Sequence, residues 1–279
     1  MAQGISIHIG LNSVDPEHYQ GWEGRLRACE NDARDMQTIA IGQGFESTLL
    51  LTEEATSAGV LKALAEAAIA LSSGDILLIT YSGHGGQIPD VNGDEDDNQD
   101  ETWVLYDRML VDDELYAMWS KFQPGVRIFM LSDSCHSGTV ARFMSEGPGD
   151  EISALYRSLG LDFSSSKAIP ADIAATTYGE HQSMYDSVQW SNFDGDRSLV
   201  TASVLLISGC QDNQTSLDGI RNGLFTANLL QIWANGHFNG GYYKFWQQIV
   251  SRMPLTQSPN YYTVGLANSE FEKEKPFTI

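Results

Sequence analysis

The chain alternates between short apolar runs and segments in which apolar residues recur every three or four positions. The runs predict buried or half-buried strands, and the wider spacing predicts amphipathic helices. In chain order the predicted elements are a strand at 5–9, a helix at 26–40, a strand at 49–51, a helix at 56–71, a strand at 75–81, a hairpin at 103–106 and 109–111, a helix at 113–121, strands at 127–132 and 204–208, and a helix at 224–233. Strands alternating with helices predict an α/β layered fold with a mostly parallel central sheet.

One long segment, 144–198, does not follow this alternation. It contains short stretches of glycine, proline and serine, among them a run of three serines at 164–166. Irregular segments of this length inside a domain are usually functional or mobile. We therefore predict a front part at 1–143, a variable linker at 144–198 and a back part at 199–279, with the front and back parts sharing one sheet.

Composition and charge narrow the class of protein. The chain is 42% hydrophobic, and none of its apolar runs approaches the ~20 residues of a membrane span. Its start has no signal-peptide pattern, and three cysteines are too few for a disulfide framework, so we expect a cytoplasmic protein. With 16 Lys+Arg against 37 Asp+Glu, the net charge of -21 argues against nucleic acid and membrane surfaces as partners.

Two of the predicted strands end on chemically reactive side chains. The strand at 75–81 leads into His84 between glycines, and the strand at 127–132 leads into Cys135. Because ligands of open α/β sheets bind beyond the carboxyl ends of the strands, neighbouring strands would bring these residues to one crevice. A cysteine beside a histidine is the minimum nucleophile–base pair for acyl transfer. The backbone N–H groups of Gly85 and Cys135 are then candidates to bind the oxyanion of a tetrahedral intermediate.

Each of these residues alone has a plainer interpretation. A single cysteine at a strand end is more often a small buried hydrophobic residue. A single histidine in a glycine turn more often has a structural role. The matching placement of Cys135 and His84 at two strand ends is what favours the catalytic interpretation.

Four short motifs then occur along the chain: 28-ACENDA-33, 81-YSGHG-85, 133-DSCHSG-138 and 208-SGCQDNQTS-216. In this order they resemble the metacaspase and orthocaspase branch of the caspase-like cysteine peptidases, over about residues 5–233. The resemblance implies a caspase-like α/β/α sandwich with a small β-hairpin, and a catalytic dyad of His84 and Cys135. It also implies protein or peptide substrates with an exposed Arg or Lys, which is cleaved on its carboxyl side.

Specificity for Arg or Lys requires buried carboxylates, which bind basic groups through charge-assisted hydrogen bonds. By resemblance these are Asp32 and Asp133, and Cys29 and Ser82 line the same pocket. Asp133 lies two residues before the nucleophile, so both side chains can point into one crevice. Asp32 lies three residues after Cys29, on the same helix face. The alternatives are a helix N-cap for Asp133 and a solvated charge for Asp32.

The acidic loop 90–101 invites a metal interpretation. It is not an EF-hand, because Glu95 occupies the position that requires glycine and no helix precedes the loop. The resemblance implies a different calcium site, whose ligands would be Asp100, Asp112 and Asp113. Its fourth position falls on Arg142, which cannot ligate Ca²⁺ and would repel it. We therefore expect that no cofactor is required. The resemblance leaves Ca²⁺ binding open, Arg142 argues against it, and the alternative for the acidic residues at 94–97 is a solvated loop.

The linker contains basic residues that an Arg/Lys-specific enzyme could cleave in its own chain. These are Arg157, Lys167 and Arg197. Proteolysis concentrates in exposed irregular segments, and Lys167 follows the serine run, so it is the first choice. We predict that the linker regulates activity, and the alternative is a passive insertion.

Two other functions stay open at this point. A non-catalytic caspase-like interaction module would have lost the dyad, whereas His84 and Cys135 are both present. A caspase-like peptidase of other specificity would keep the dyad without the acidic pair.

Overall fold

The computed structural model describes residues 2–93, 95, 97–135, 166–192, 199–210, 216–254 and 257–279. Its strands are β1 (Gly4–Gly10), β2 (Glu46–Leu51), β3 (Ile76–Ser82), β4 (Gly85–Pro89), β5 (Gln99–Val104), β6 (Met109–Val111), β7 (Arg127–Asp133), β8 (Ser203–Ser208) and β9 (Asn260–Gly265). Its α-helices are α1 (Cys29–Gly42), α2 (Ser57–Ala70), α3 (Asp112–Trp119), α4 (Ala171–Glu180), α5 (Gln182–Asn192), α6 (Leu224–Trp233), α7 (Tyr242–Val250) and α8 (Ser269–Lys273). None of these helices is both long and apolar enough to cross a bilayer.

A six-stranded sheet in the order β2-β1-β3-β7-β8-β9 forms the centre of the molecule. All its pairs are parallel except β8 with β9. Side chains alternate along each strand, so Leu77 and Ile79 pack in one core while Leu78 packs in the other. Helices α2 and α3 cover the first face, and α1, α6 and α7 cover the second. The predicted α/β/α sandwich with a mostly parallel sheet is confirmed.

The predicted hairpin is part of a larger antiparallel sheet. Strand β5 begins at Gln99 rather than at Trp103, and it pairs on one side with β6 and on the other with β4. Strand β4 was not predicted, because Gly85, Gly86 and Pro89 are residues that usually mark turns. Its pairing with β5 overrides that local preference.

Part of the predicted irregular linker is helical. Residues 171–192 form α4 and α5, in contrast to our expectation of low regularity for 144–198. The buried face of α4 consists of Ala174, Thr177 and Tyr178, which is too weakly apolar for the helical period to stand out. The boundaries proposed for the front part, linker and back part stay a prediction.

The strand register positions the candidate site. Strands β3 and β7 are parallel neighbours, and their last residues, Ser82 and Asp133, lie directly opposite each other. The segments carrying His84 and Cys135 therefore leave the sheet side by side at one edge. The first turn of α1, which carries Asp32, packs at the same edge.

Candidate active site

An acidic pocket lies at the carboxyl edge of the sheet, and a side chain of the same protein fills it. The Nζ atom of Lys167 lies 2.9 Å from Asp133 Oδ2, 3.1 Å from Asp32 Oδ2 and 2.9 Å from Ser82 Oγ. The side chains of Lys167, Asp32 and Asp133 are 0%, 1% and 2% exposed. Three of the four residues expected to form the pocket thus converge on one ammonium group.

The charges in the pocket compensate one another. Burial alone would lower the pKa of Lys167, but the carboxylates around it, Asp133 and Asp32 among them, hold that pKa well above its usual value. Burial raises the pKa of Asp32 to about 6, and the positive charge of Lys167 opposes this rise. Two buried acids need a cation to stay ionised, and Lys167 supplies that cation in this structure.

Cys29, the fourth expected pocket residue, is also buried at this place. Burial raises the pKa of its thiol, while the nearby charge of Lys167 and a hydrogen bond with Ser82 act in the opposite direction. The neutral thiol therefore contributes to the wall of the pocket rather than to its charge.

Residues from the back part complete the pocket, and the sequence did not assign a role to any of them. The backbone N–H of Gly223 and the side-chain amide of Asn222 each donate to Asp32 Oδ1 over 3.0 Å. The hydroxyl of Thr226 donates to Asp133 Oδ2 over 3.0 Å, and the hydroxyl of Ser216 donates to Asp133 Oδ1. In the sequence, Ser216 ends the fourth motif, and Asn222-Gly223 before a helix is a turn signal.

The backbone of Lys167 is held as firmly as its side chain. Its carbonyl oxygen accepts hydrogen bonds from the N–H groups of Gly85, at 3.0 Å, and Cys135, at 3.1 Å. Its own N–H donates to the Ser216 carbonyl over 3.0 Å. Backbone bridges continue on both sides, between Ser166 and Leu217 and between Ala168 and Gly85. The pair of N–H donors on one carbonyl is the arrangement of an oxyanion hole.

His84 lies beside the same segment with one ring nitrogen unused. Its Nε2 lies 2.9 Å from the Gly24 carbonyl, which can only accept, so Nε2 carries the proton. Its Nδ1 is buried and makes no hydrogen bond with any residue that the structure describes. Burial lowers the pKa of His84 to about 4, the Gly24 carbonyl opposes this, and the charge of Lys167 adds to the lowering. The lowered pKa keeps the imidazole neutral at neutral pH, and Nδ1 is then the ring nitrogen with a lone pair that can accept a proton.

Cys135 is fully buried and lies against the Lys167 carbonyl through its own N–H. Its sulfur accepts a hydrogen bond from the Ser216 N–H. On the other side of the segment, the Ala168 backbone lies close enough to His84 to act on its pKa, which it raises. Cys135 and His84 thus both lie beside the segment that carries Lys167 and Ala168.

Of the three residues expected to bind calcium, Asp112 lies in a separate acidic group with two residues that the sequence did not assign, Glu95 and Glu101. Carboxylate oxygens of Glu95, Glu101 and Asp112 lie within 4.8 Å of one another. Burial, and then the charges of Glu101, Asp100, Asp113 and Glu95, hold the pKa of Asp112 well above its usual value. Such oxygen donors suit Ca²⁺. Three further residues of the sequence predictions lie outside the part of the chain that the structure describes: Arg142, Arg157 and Arg197.

Comparison with known proteins gives consistent results. A family model described as Caspase domain matches residues 14–269. Metacaspase-1 of Kluyveromyces lactis is 32% identical over 255 residues, which cover 82% of this chain and 57% of that protein. Metacaspase-1 of Saccharomyces cerevisiae is 31% identical over 251 residues, which cover 80% of this chain and 56% of that protein. The chain thus spans a little over half the length of these relatives.

Two solved structures are similar to this one. The crystal structure of protein GSU0716 from Geobacter sulfurreducens is 48% identical, with a TM-score of 0.87, and the match covers 99% of this chain and 98% of that one. Caspase-1 from Spodoptera frugiperda is 12% identical, with a TM-score of 0.52 over 95% of this chain and 86% of that one, which shows a shared fold. The chain belongs to the caspase-domain family of peptidases, on its metacaspase and orthocaspase branch.

Proposed function

We propose that the chain is a cysteine endopeptidase that cleaves after Lys or Arg, with Cys135 as nucleophile and His84 as acid–base group. One observation carries this proposal. Lys167 occupies the cleft in the position expected for the residue on the amino side of a cleaved peptide bond. Its ammonium group contacts two carboxylates, and its carbonyl oxygen accepts hydrogen bonds from two backbone N–H groups. The bond between Lys167 and Ala168 is then an internal substrate, and the segment also occupies the cleft against other substrates.

The chemistry follows from this arrangement. The thiol of Cys135 loses its proton to Nδ1 of His84, and the sulfur bonds to the carbonyl carbon of the basic residue. The oxyanion takes up the hydrogen bonds of the Gly85 and Cys135 N–H groups. The carbon–nitrogen bond then breaks, and His84 gives its proton to the departing amine. Water hydrolyses the thioester, which restores the thiol and leaves a carboxylate on the basic residue.

The selectivity of the pocket has an electrostatic cause. An acidic substrate residue would place a third carboxylate beside Asp32 and Asp133, where all three are removed from water. A basic substrate residue would supply the positive charge that Lys167 supplies to the two carboxylates in this structure. Proteins and peptides with an accessible Lys or Arg are therefore the proposed substrates.

The proposed reaction draws its nucleophile, its base and its oxyanion donors from the chain itself, so we propose that no cofactor is required. The acids Glu95, Glu101 and Asp112 have the chemistry of a calcium site, but Arg142 stands where the family has another ligand. A thiol nucleophile and three unpaired cysteines suit a reducing compartment, and we propose a cytoplasmic location on that ground.

Self-cleavage tests the proposal directly. The purified chain should convert to fragments 1–167 and 168–279, the second beginning at Ala168 by N-terminal sequencing. Lys167→Arg should keep this cut, because guanidinium also pairs with the two carboxylates. Lys167→Met should slow it about 100-fold or more, because the buried carboxylates lose their partner. Lys62→Met, the same change at an exposed helix position, is the matched control.

Two outcomes would contradict internal cleavage at this bond. One is a cut in Lys167→Met at the wild-type rate. The other is self-cleavage only after Arg157 or Arg197, with the bond at Lys167 left whole.

The absence of a side chain at Gly223 should be essential, because it leaves space in the pocket for the basic group. A methyl group at this position would lie 2.5 Å from Lys167 Nζ and 2.6 Å from Asp133 Oδ2. Gly223→Ala should therefore lower kcat/KM for Arg and Lys peptides about tenfold or more by misplacing the basic group. Gly42→Ala adds the same methyl group at the end of α1, where nothing lies within 4 Å, and should leave the rate unchanged. Equal rates for both variants would show that the pocket lies elsewhere.

A further inference from the structure

A second side chain of the internal segment is buried beyond the bond that we propose is cleaved. Ile169 is the second residue after Lys167, and it is 1% exposed. Its N–H donates to the Gly85 carbonyl over 2.9 Å, so the backbone on this side is held by the same residue that binds the Lys167 carbonyl. The position of Ile169 relative to the cleft is therefore fixed, as that of Lys167 is.

The place that receives Ile169 is apolar and belongs mainly to the front part. Ile169 joins one packed cluster with Ile88, Val104, Met109 and Val111 from the small antiparallel sheet. Gly86 forms its floor, since a methyl group there would lie 2.5 Å from Ile169 Cγ2. Strands β4, β5 and β6 supply these walls, so they are present whichever peptide occupies the cleft.

The tyrosine hydroxyls of this cluster already have partners. The hydroxyl of Tyr19 donates to the Leu105 carbonyl over 2.8 Å. The hydroxyl of Tyr185 lies 2.9 Å from Nε2 of His18 and accepts from the Met109 N–H. A charged side chain at this position would lose its hydration without gaining a counter-charge, which is costly.

We propose that Gly86 and the apolar cluster around Ile169 form a specificity subsite that selects an aliphatic residue at the second position after the cleaved bond. This inference rests on the proposed function, since it takes Lys167 as the residue before that bond. The substrate class then narrows to peptides with Lys or Arg, then one further residue, then Ile, Val or Leu. Gly86 is the specificity-determining residue, because its missing side chain leaves the room that the aliphatic group fills.

A pair of competing peptides tests the subsite on the wild-type chain. Both are internally quenched and carry Arg-Ala at the cleaved bond, followed by Ile in one and Asp in the other. Mixed in one reaction, they compete for the same enzyme, so the ratio of their kcat/KM values does not depend on how much of the cleft Ile169 still occupies. The Ile peptide should be preferred at least about tenfold, as expected for burial of an aliphatic side chain against a charged one.

Gly86→Ala should reduce this preference severalfold or more, because its methyl group takes the place of the side chain. Gly42→Ala, whose added methyl group contacts nothing, should keep the wild-type ratio. An arginyl-coumarin substrate, which has no residue beyond the cleaved bond, separates this inference from the proposed function. If the coumarin substrate is turned over while the ratio is near one, or while neither peptide is cut, the subsite is refuted. If no basic substrate is turned over at all, the proposed function itself fails.

Discussion

Cys135→Ala should abolish both self-cleavage after Lys167 and turnover of Arg and Lys peptides. The loss should be about 10³-fold or more, since Cys135 supplies the sulfur that forms the covalent intermediate. The backbone N–H of Cys135 binds the Lys167 carbonyl, so removing the sulfur leaves this contact in place and removes the reaction. Intact mass over time and release of a coumarin dye measure the two activities.

A matched variant separates loss of chemistry from loss of structure. Cys210→Ala removes another buried thiol, whose sulfur contacts the Ser134 carbonyl at 3.2 Å. It should cleave itself and its substrates as the wild type does. Circular dichroism should show that Cys135→Ala is folded, and cleavage by a folded Cys135→Ala chain would refute the mechanism.

Asp133→Ala and Asp32→Ala should each weaken transition-state binding of basic substrates by at least about 2 kcal/mol, or about 30-fold in kcat/KM. Both carboxylates contact Lys167 Nζ, and neither is exposed to water. Removing one carboxylate leaves the buried cation with one negative partner where it had two. The measurement is kcat/KM for arginyl- and lysyl-coumarin peptides.

Asp35→Ala is the control for this pair. Asp35 lies one turn after Asp32 on α1, where it contacts Asn222 and Arg221 rather than Lys167. It should keep turnover within about twofold, as a partly exposed acid outside the pocket. If all three variants turn over Arg peptides equally, Asp32 and Asp133 do not form the specificity pocket.

The layered fold could be predicted because its strands are nearly pure apolar runs. Strand β3 is buried on both faces, and so is β7, so their sequences stand out without any structure. Strand β9 escaped prediction because it is an edge strand with mostly half-buried or exposed residues. Helix α4 escaped because its buried residues are small or polar. Where an element is only partly buried, its apolar residues are too few for their regular spacing to predict a helix or a strand.

The candidate site was predictable only where one strand end or one motif holds the residue. His84 and Cys135 were named from two strand ends, but the contribution of Gly223 and Thr226 depends on how α6 docks against β7, which no local pattern encodes. Lys167 was named for an exposed and irregular setting, yet it is fully buried. The ammonium group and the backbone of Lys167 are both bound in the cleft, which is a different reason to propose cleavage there.

A fluorogenic panel tests the central claim most directly. Wild type and Cys135→Ala would be assayed on matched coumarin peptides that differ only in Arg, Lys or Asp before the dye, each with Ca²⁺ and with chelator. The account predicts turnover of the Arg and Lys peptides by the wild type alone, about 30-fold or more above the Asp peptide, since the pocket places two carboxylates on the basic group, and about the same rate without Ca²⁺. Equal turnover of the Asp and Arg peptides, or turnover of either by Cys135→Ala, would contradict it.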